Sequence, residues 1–203
     1  MNEGFSYPAA IHERRHGPNG YKQYENFRDW LRDEFCFRCV YCLHREQWYG
    51  RATTFEIDHL QPVSVDSTGE CRYSNLVYSC ATCNSAKSNI VGFPDPCSVG
   101  YGTCLSINAD GLVVAHNDQG RKHCSVLRMN SKTNLSDRRK MIGLITTLKT
   151  MNYELYEQLL GFPESLPDLR SPRRKVPNNT KPQGLESSYL VLRENGLLPK
   201  IYL

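Results

Sequence analysis

The sequence has no long hydrophobic run. None of its 203 residues lies in a stretch approaching the roughly 18 consecutive apolar residues that a membrane-spanning helix needs, and the mean hydropathy is −0.54. The first twenty residues also lack the apolar segment of a signal peptide. We therefore expect a protein that does not enter a membrane, with the cytoplasm as its default location.

A strong excess of one charge is also absent. A total of 25 Lys and Arg against 21 Asp and Glu leaves a net charge of +4, which permits a nucleic-acid partner without requiring one. The basic residues form three short clusters, and we interpret each cluster, taken alone, as solvated surface rather than as a phosphate contact. The clusters are Arg14-Arg15-His16, Arg138-Arg139-Lys140 and Arg173-Arg174-Lys175.

Cysteine is abundant for a cytoplasmic protein. The count of nine is odd and comes without an export signal, which argues against a disulfide framework. Two C-x-x-C pairs have the spacing of a tetrahedral site of four thiolates, and such soft ligands select zinc or an iron–sulfur cluster. Because all four ligands come from the protein, the site is closed and structural. The ligands are Cys39, Cys42, Cys80 and Cys83.

The remaining cysteines and several histidines lie outside any recognisable motif. We interpret the five other cysteines as buried free thiols, although Cys36 is close enough to Cys39 to be an alternative zinc ligand. His44, His116 and His123 are expected on the surface or in loops. The five cysteines are Cys36, Cys71, Cys97, Cys104 and Cys124.

Hydrophobic periodicity predicts two helices and a hairpin outside the cysteine region. Residues 21–35 have aromatic residues at helical spacing, which we interpret as a core face. Residues 136–160 form the stronger pattern, with a start at Ser136 and Asp137, an apolar stripe expected in the core, and a stop at Gly161. Apolar runs on either side of Asp110-Gly111 predict a β-hairpin.

The segment between the cysteine pairs predicts a strand, a loop, a second strand and a short helix. The first strand covers residues 53–57 and ends at Asp58-His59, and the second starts at Asn75. A helix begins near the second cysteine pair and carries Asn84 and Lys87. Since neighbouring residues on a strand point to opposite sides, Asp58 and His59 would serve different parts of a site.

These residues resemble the HNH, or ββα-metal, nuclease family, and within it the subgroup whose ββα core is flanked by a four-cysteine zinc site. The resemblance covers roughly residues 36–90. It is carried by Cys39, Cys42, Asp58-His59, Pro62, Gly69, Asn75-Leu76-Val77, Cys80, Cys83-Asn84 and Lys87.

The resemblance implies an endonuclease that hydrolyses DNA phosphodiester bonds. His59 would be the general base, since a neutral imidazole can take a proton from water. Asp58 and Asn84 would hold one divalent ion, Mg²⁺ or Mn²⁺, through hard oxygen ligands. Asn75 would brace the loop and orient His59. Lys87 has two interpretations, a phosphate contact or a solvent-facing side chain.

Two further functions stay open. One is a catalytically silent, zinc-stabilised module that binds nucleic acid. The other is a nuclease effector subunit of a bacterial phage-defence complex, held silent by a partner such as an ATPase, which rests on family analogy alone. The expected nucleic acid is double-stranded DNA, and cutting both strands would favour a homodimer.

The expected fold class is α+β, with the parts forming one continuous globule. A small ββα-metal core clamped by the zinc site would be joined by an N-terminal helix and by a C-terminal hairpin plus long helix. The predicted parts are residues 1–35 (N-terminal arm and helix), 36–92 (HNH core with the zinc site), 93–161 (hairpin and long helix packed on the core) and 162–203 (linker and C-terminal tail).

Overall fold

The computed structural model describes residues 3–49, 54–171 and 178–202. Thr53 of the predicted first strand and the basic cluster Arg173-Arg174-Lys175 lie outside them. The described strands are β1 (Pro18–Asn19), β2 (Phe55–His59), β3 (Leu76–Cys80), β4 (Leu105–Ile107), β5 (Val113–Ala115) and β6 (Asn178–Asn179). The described helices are α1 (Arg28–Glu34), α2 (Ala81–Lys87), α3 (Asp118–Val126), α4 (Lys132–Met151), α5 (Tyr153–Leu160), α6 (Gln183–Glu186) and α7 (Tyr189–Glu194).

The strands pair into three antiparallel two-stranded sheets, β1 with β6, β2 with β3, and β4 with β5. This mixture of helices and small sheets confirms the α+β class. The division into four parts stays a prediction. Across the described ranges, every helix is too short or too polar to span a bilayer.

The β2–β3 hairpin and α2 form a ββα unit, as the sequence predicts. Phe55 pairs with Cys80 and His59 pairs with Leu76, so the hairpin is in full register. Helix α2 starts directly after β3, and its residues contact both strands. One helix therefore lies across a two-stranded sheet. One end of the hairpin carries Cys80 of the second cysteine pair, and the other end carries His59.

Helix α1 covers the hairpin with aromatic side chains. The predicted helix 21–35 begins as a 3₁₀ turn and becomes α-helical at Arg28. Phe27, Trp30 and Leu31 are buried, which confirms the predicted core face. Tyr24 is the exception among these aromatic residues, because it is half-buried beside His59.

The N-terminal segment, predicted as an arm, packs against the end of α1. Asp33 Oδ1 lies 2.5 Å from Arg15 Nη2 and 2.8 Å from His16 Nε2, and His16 is fully buried. Burial raises the pKa of Glu34, but hydrogen bonds from the segment outweigh it and bring the value to about 2. Arg15 is therefore half-buried in an ion pair and His16 is internal, so the assignment of these two residues to solvated surface was wrong.

The predicted β4–β5 hairpin is present, but the long helix differs from the prediction. Helix α4 begins at Lys132, capped by Ser131, rather than at residue 136. It ends at Met151, because the Asn152 side chain accepts a hydrogen bond from the Leu155 backbone N–H and starts α5. A side chain that caps a new helix competes with continuation of the old one.

The apolar stripe of this helical region is only partly core. Ile145 is 2% exposed, whereas Leu144 is 44% and Met151 80% exposed. The polar Arg138 is instead buried, and it donates hydrogen bonds to the carbonyls of Gly111 and Met129. The prediction of a core stripe was therefore wrong at Leu144, Met151 and Leu155, whereas Met141, Leu148 and Leu159 pack partly buried against the core.

Two of the three histidines expected on the surface or in loops are buried. His44 is buried, and His123 is fully buried with Nε2 3.1 Å from the Tyr41 carbonyl oxygen. Burial lowers the pKa of His123 to about 4 although the hydrogen bond to Tyr41 opposes the shift. His116 is exposed and bonds Ser106, as expected of a surface residue.

Candidate active site and zinc centre

The four cysteines predicted to hold zinc come together. Their sulfur atoms all lie within 4.8 Å of one another, and all four residues are buried. The Cys42 and Cys80 sulfurs are 3.7 Å apart. Tetrahedral zinc with Zn–S bonds of about 2.3 Å places sulfurs roughly 3.8 Å apart. The cluster therefore fits a zinc ion.

The cluster ties three parts of the chain together. Cys39 and Cys42 lie in a turn after α1, where the Val40 backbone N–H donates to the Tyr78 carbonyl of β3. Cys80 ends β3 and Cys83 lies in the first turn of α2. Cys36 is not part of it, because its sulfur lies 2.7 Å from the Tyr189 hydroxyl. The zinc would thus fix the start of α2 against the hairpin.

His59 is the last residue of β2 and is half-buried. Its Nε2 lies 3.0 Å from the Glu70 carbonyl oxygen, and the Tyr24 ring meets it edge-on at 4.9 Å between centroids. A carbonyl oxygen can only accept, so we assign the proton to Nε2. The neutral imidazole then keeps Nδ1 as its basic nitrogen.

Asn75 ties the two ends of the loop between β2 and β3. Its Nδ2 donates to the carbonyls of Gln61 (3.0 Å) and Gly69 (3.2 Å), and its Oδ1 accepts from the Gln61 backbone N–H (2.8 Å). Gly69 directly precedes Glu70, whose carbonyl holds His59. The predicted role of Asn75 in orienting His59 has a direct path through these contacts.

Asp58 points to the other side of β2 and is almost sealed from solvent, at 4% exposure. Its Oδ1 accepts from Lys87 Nζ at 3.0 Å, and its Oδ2 accepts from the Tyr41 hydroxyl at 2.5 Å. Burial raises the pKa of Asp58, and the ammonium of Lys87 opposes that rise. Both carboxylate oxygens are therefore already engaged by this chain.

Lys87 is fully buried and bridges α2 to β2. Its Nζ donates to the Asp58 carboxylate and, at 2.7 Å, to the His59 carbonyl. Neither a solvent-facing lysine nor a phosphate contact describes this side chain, so both sequence interpretations need correction. The reason is its spacing, because one helical turn after Asn84 points the side chain at the same strand.

Glu56, the partner of Asn84, was not predicted from the sequence. Asn84 Nδ2 donates to Glu56 Oε2 at 2.6 Å, and both residues are half-buried. No described residue donates to Asn84 Oδ1. Glu56 lies two residues before Asp58, and the period-2 rule puts both carboxylates on the strand face that meets α2. That spacing was the available signal.

The comparisons with known proteins bear on this region. Residues 39–89 match a family model described as HNH endonuclease. Residues 39–89 are an HNH endonuclease domain. Among curated proteins, none matches the chain. The HNH domain contains the zinc cluster and every predicted catalytic residue, namely Asp58, His59, Asn75 and Asn84, and it indicates a nuclease that acts on nucleic acid.

HNH nucleases use divalent metals, and the HNH domain offers hard oxygen ligands at only part of the predicted site. The Asn84 amide oxygen and the Glu56 carboxylate are half-buried and accessible. Asp58 does not fit as a ligand in this arrangement, because the Lys87 ammonium already lies against its carboxylate. The donor that fits a hard cation is therefore Asn84 Oδ1, with Glu56 holding the amide through its nitrogen.

Proposed function

We propose that the HNH domain is a metal-dependent endonuclease that hydrolyses phosphodiester bonds of double-stranded DNA, with His59 as general base. The observation that carries this proposal is the state of the His59 ring. It is half-buried rather than enclosed, and a backbone carbonyl holds its Nε2. That hydrogen bond leaves Nδ1 to accept a proton.

The reaction needs one proton transfer that His59 can perform. Nδ1 accepts a proton from water as the water oxygen forms a bond to phosphorus, and the ester P–O bond on the opposite side breaks. The leaving oxygen takes a proton from solvent. The Glu70 carbonyl, which accepts from Nε2, favours the positive imidazolium that results.

A bound Mg²⁺ or Mn²⁺ would neutralise charge on the scissile phosphate and the leaving oxygen. Asn84 would hold this ion through Oδ1, with Glu56 fixing the amide by its nitrogen. Partners of this kind orient metal ligands in many metalloproteins. Asp58, the other predicted ligand, would join only if Lys87 released Oδ1.

A plasmid assay tests the proposal. Purified wild type and His59→Ala are incubated with supercoiled DNA in Mg²⁺ or Mn²⁺, with EDTA as control. We expect nicked or linear product from wild type only, lost in EDTA. Equal cleavage by His59→Ala would show that another group is the base.

The Lys87–Asp58 contact favours a second candidate, the catalytically silent nucleic-acid-binding module. An ammonium against the carboxylate at 3.0 Å leaves a cation-filled position where the resemblance implies a metal ligand. This candidate predicts salt-dependent DNA binding without any Mg²⁺-dependent product. The homodimer, the regulatory ATPase partner and a role in phage defence stay predictions, and sedimentation of the purified chain would test the first.

A further inference from the structure

A groove of about 560 Å³ lies between three segments that are far apart in sequence. Arg14 comes from the N-terminal segment, Arg72 from the loop after β2, and Lys181 from the C-terminal segment. The β1–β6 pairing, with Asn19 opposite Asn178, brings the first and last of these segments together. The volume of the groove is typical of ligand sites, which span roughly 300–1,000 Å³.

The charge of the groove is largely uncompensated. Among the described residues, no carboxylate lies within ion-pair distance of Arg14 or Lys181, which bond backbone carbonyls instead. Arg72 has only a loose contact with Asp66, at 3.5 Å and exposed to solvent. Such an exposed pair neutralises little. The groove is therefore a concave surface with three cations, which attracts anions.

Several other basic residues on the surface are paired. Arg121 pairs with Asp118, Arg139 with Asp110, and Arg170 with both Asp168 and Glu194. These side chains serve local structure. What distinguishes Arg14, Arg72 and Lys181 is that all three line one concave surface.

Arg14 gives the groove a rigid wall. Its guanidinium lies 5.2 Å from the centre of the Tyr73 ring and 5.0 Å from that of Phe35, and Nη2 donates to the Leu76 carbonyl at 2.7 Å. A positive charge held in this way loses little further freedom when an anion binds.

One end of the groove adjoins the proposed catalytic base. Cys71 lines the groove and directly follows Glu70, whose carbonyl holds His59. Burial and then the charges of Glu70 and Glu25 raise the pKa of Cys71. Burial, followed by the charges of Glu25 and Glu70, also raises the pKa of Tyr24, whose ring contacts His59. The basic stretch of the groove therefore suits the phosphates on either side of the scissile one.

We propose that this groove binds the phosphodiester backbone of a DNA strand and leads that strand to His59. The inference rests on the proposed nuclease function for its substrate. Arg14 and Lys181 lie outside the HNH domain, so the groove adds a binding surface that residues 39–89 do not contain. Two segments remote from the motif thereby determine how the substrate lies.

The test is DNA binding in EDTA, where cleavage does not occur. The groove variant is Arg72→Glu with Lys181→Glu, and the matched control is Lys132→Glu with Lys140→Glu, two exposed lysines of α4. Arg14 is left in place because it packs on aromatic rings. Anisotropy of a short labelled duplex is measured across a salt series, with thermal melting and zinc content as checks on folding.

We expect the groove variant to bind at least about tenfold more weakly than wild type. The slope of its log affinity against log salt concentration should be shallower by roughly the amount expected for two lost phosphate contacts. The control should bind within about twofold of wild type. Equal binding by the groove variant and wild type, or no binding by wild type at low salt, would overturn the proposal. Wild type that binds through the groove but never cuts would contradict only the nuclease function.

Discussion

The two ends of the ββα unit hold their functional side chains in opposite ways. At the zinc end, four identical buried cysteines converge on one point. At the other end, Asp58 and His59 are neighbours that face opposite sides of β2, one sealed by Lys87 and the other against Tyr24. A closed site of identical ligands follows from spacing alone, whereas an open site depends on what each side chain contacts.

The two ends also differ in what they contribute to stability. A structural zinc contributes folding free energy directly, because its ligands meet only in the folded chain. The Lys87–Asp58 pair removes two charges from water, and that cost offsets much of their attraction. We infer that the pair mainly fixes the position of α2 relative to β2 and adds little net stability.

Removing a zinc ligand should have the largest effect. Cys80→Ser should lose the zinc and the fold of the HNH domain, since structural zinc binding is worth on the order of 10 kcal/mol. Zinc content per chain and circular dichroism measure this. Cys97→Ser, which changes a cysteine outside the cluster, is the control and should keep both. A Cys80→Ser protein with full zinc would show that Cys80 is not a zinc ligand.

Breaking the buried ion pair should come next. Lys87→Met leaves the Asp58 carboxylate buried without its cation, which should cost roughly 3–5 kcal/mol of unfolding free energy. Urea unfolding of the zinc-loaded protein measures it. Adding Asp58→Asn should restore much of the loss, because the unpaired charge is then gone. If Lys87→Met alone unfolds like wild type, the pair does not hold α2.

Loss of the Asn84 partner should have the smallest effect of the three. In Glu56→Ala the Asn84 amide loses its acceptor, so the affinity for Mn²⁺, measured by calorimetry, should fall about 10- to 100-fold. The Mg²⁺ requirement for cleavage should rise in parallel while the melting temperature stays constant. Glu13→Ala, which changes an exposed acid outside residues 39–89, is the control. Unchanged Mn²⁺ affinity in Glu56→Ala would contradict the proposed ligand arrangement.

Sequence patterns predicted the elements that depend on local spacing. The two cysteine pairs, β2, β3, α2 and the β4–β5 hairpin all follow from short-range rules, and the structure confirms them. The break at Asn152 was missed because an apolar stripe continues through it, although an asparagine there was a local signal for a new helix cap.

What was missed depends on segments that meet only in the folded chain. His16 is buried with its Nε2 hydrogen-bonded to the Asp33 carboxylate, and His123 is buried with its Nε2 hydrogen-bonded to the Tyr41 carbonyl. Lys87 and Glu56 gained their roles from partners 29 and 28 residues away along the chain. A polar residue with a distant partner has no periodic signature, so composition and spacing assign it to the surface.

Zinc content and DNA cleavage should be measured on the same sample of His59→Ala. We predict the wild-type zinc content, an unchanged melting temperature and cleavage lowered by at least about a hundredfold, because His59 and the cysteine cluster lie at opposite ends of the hairpin. Cleavage at the wild-type rate, or loss of zinc together with cleavage, would contradict that separation.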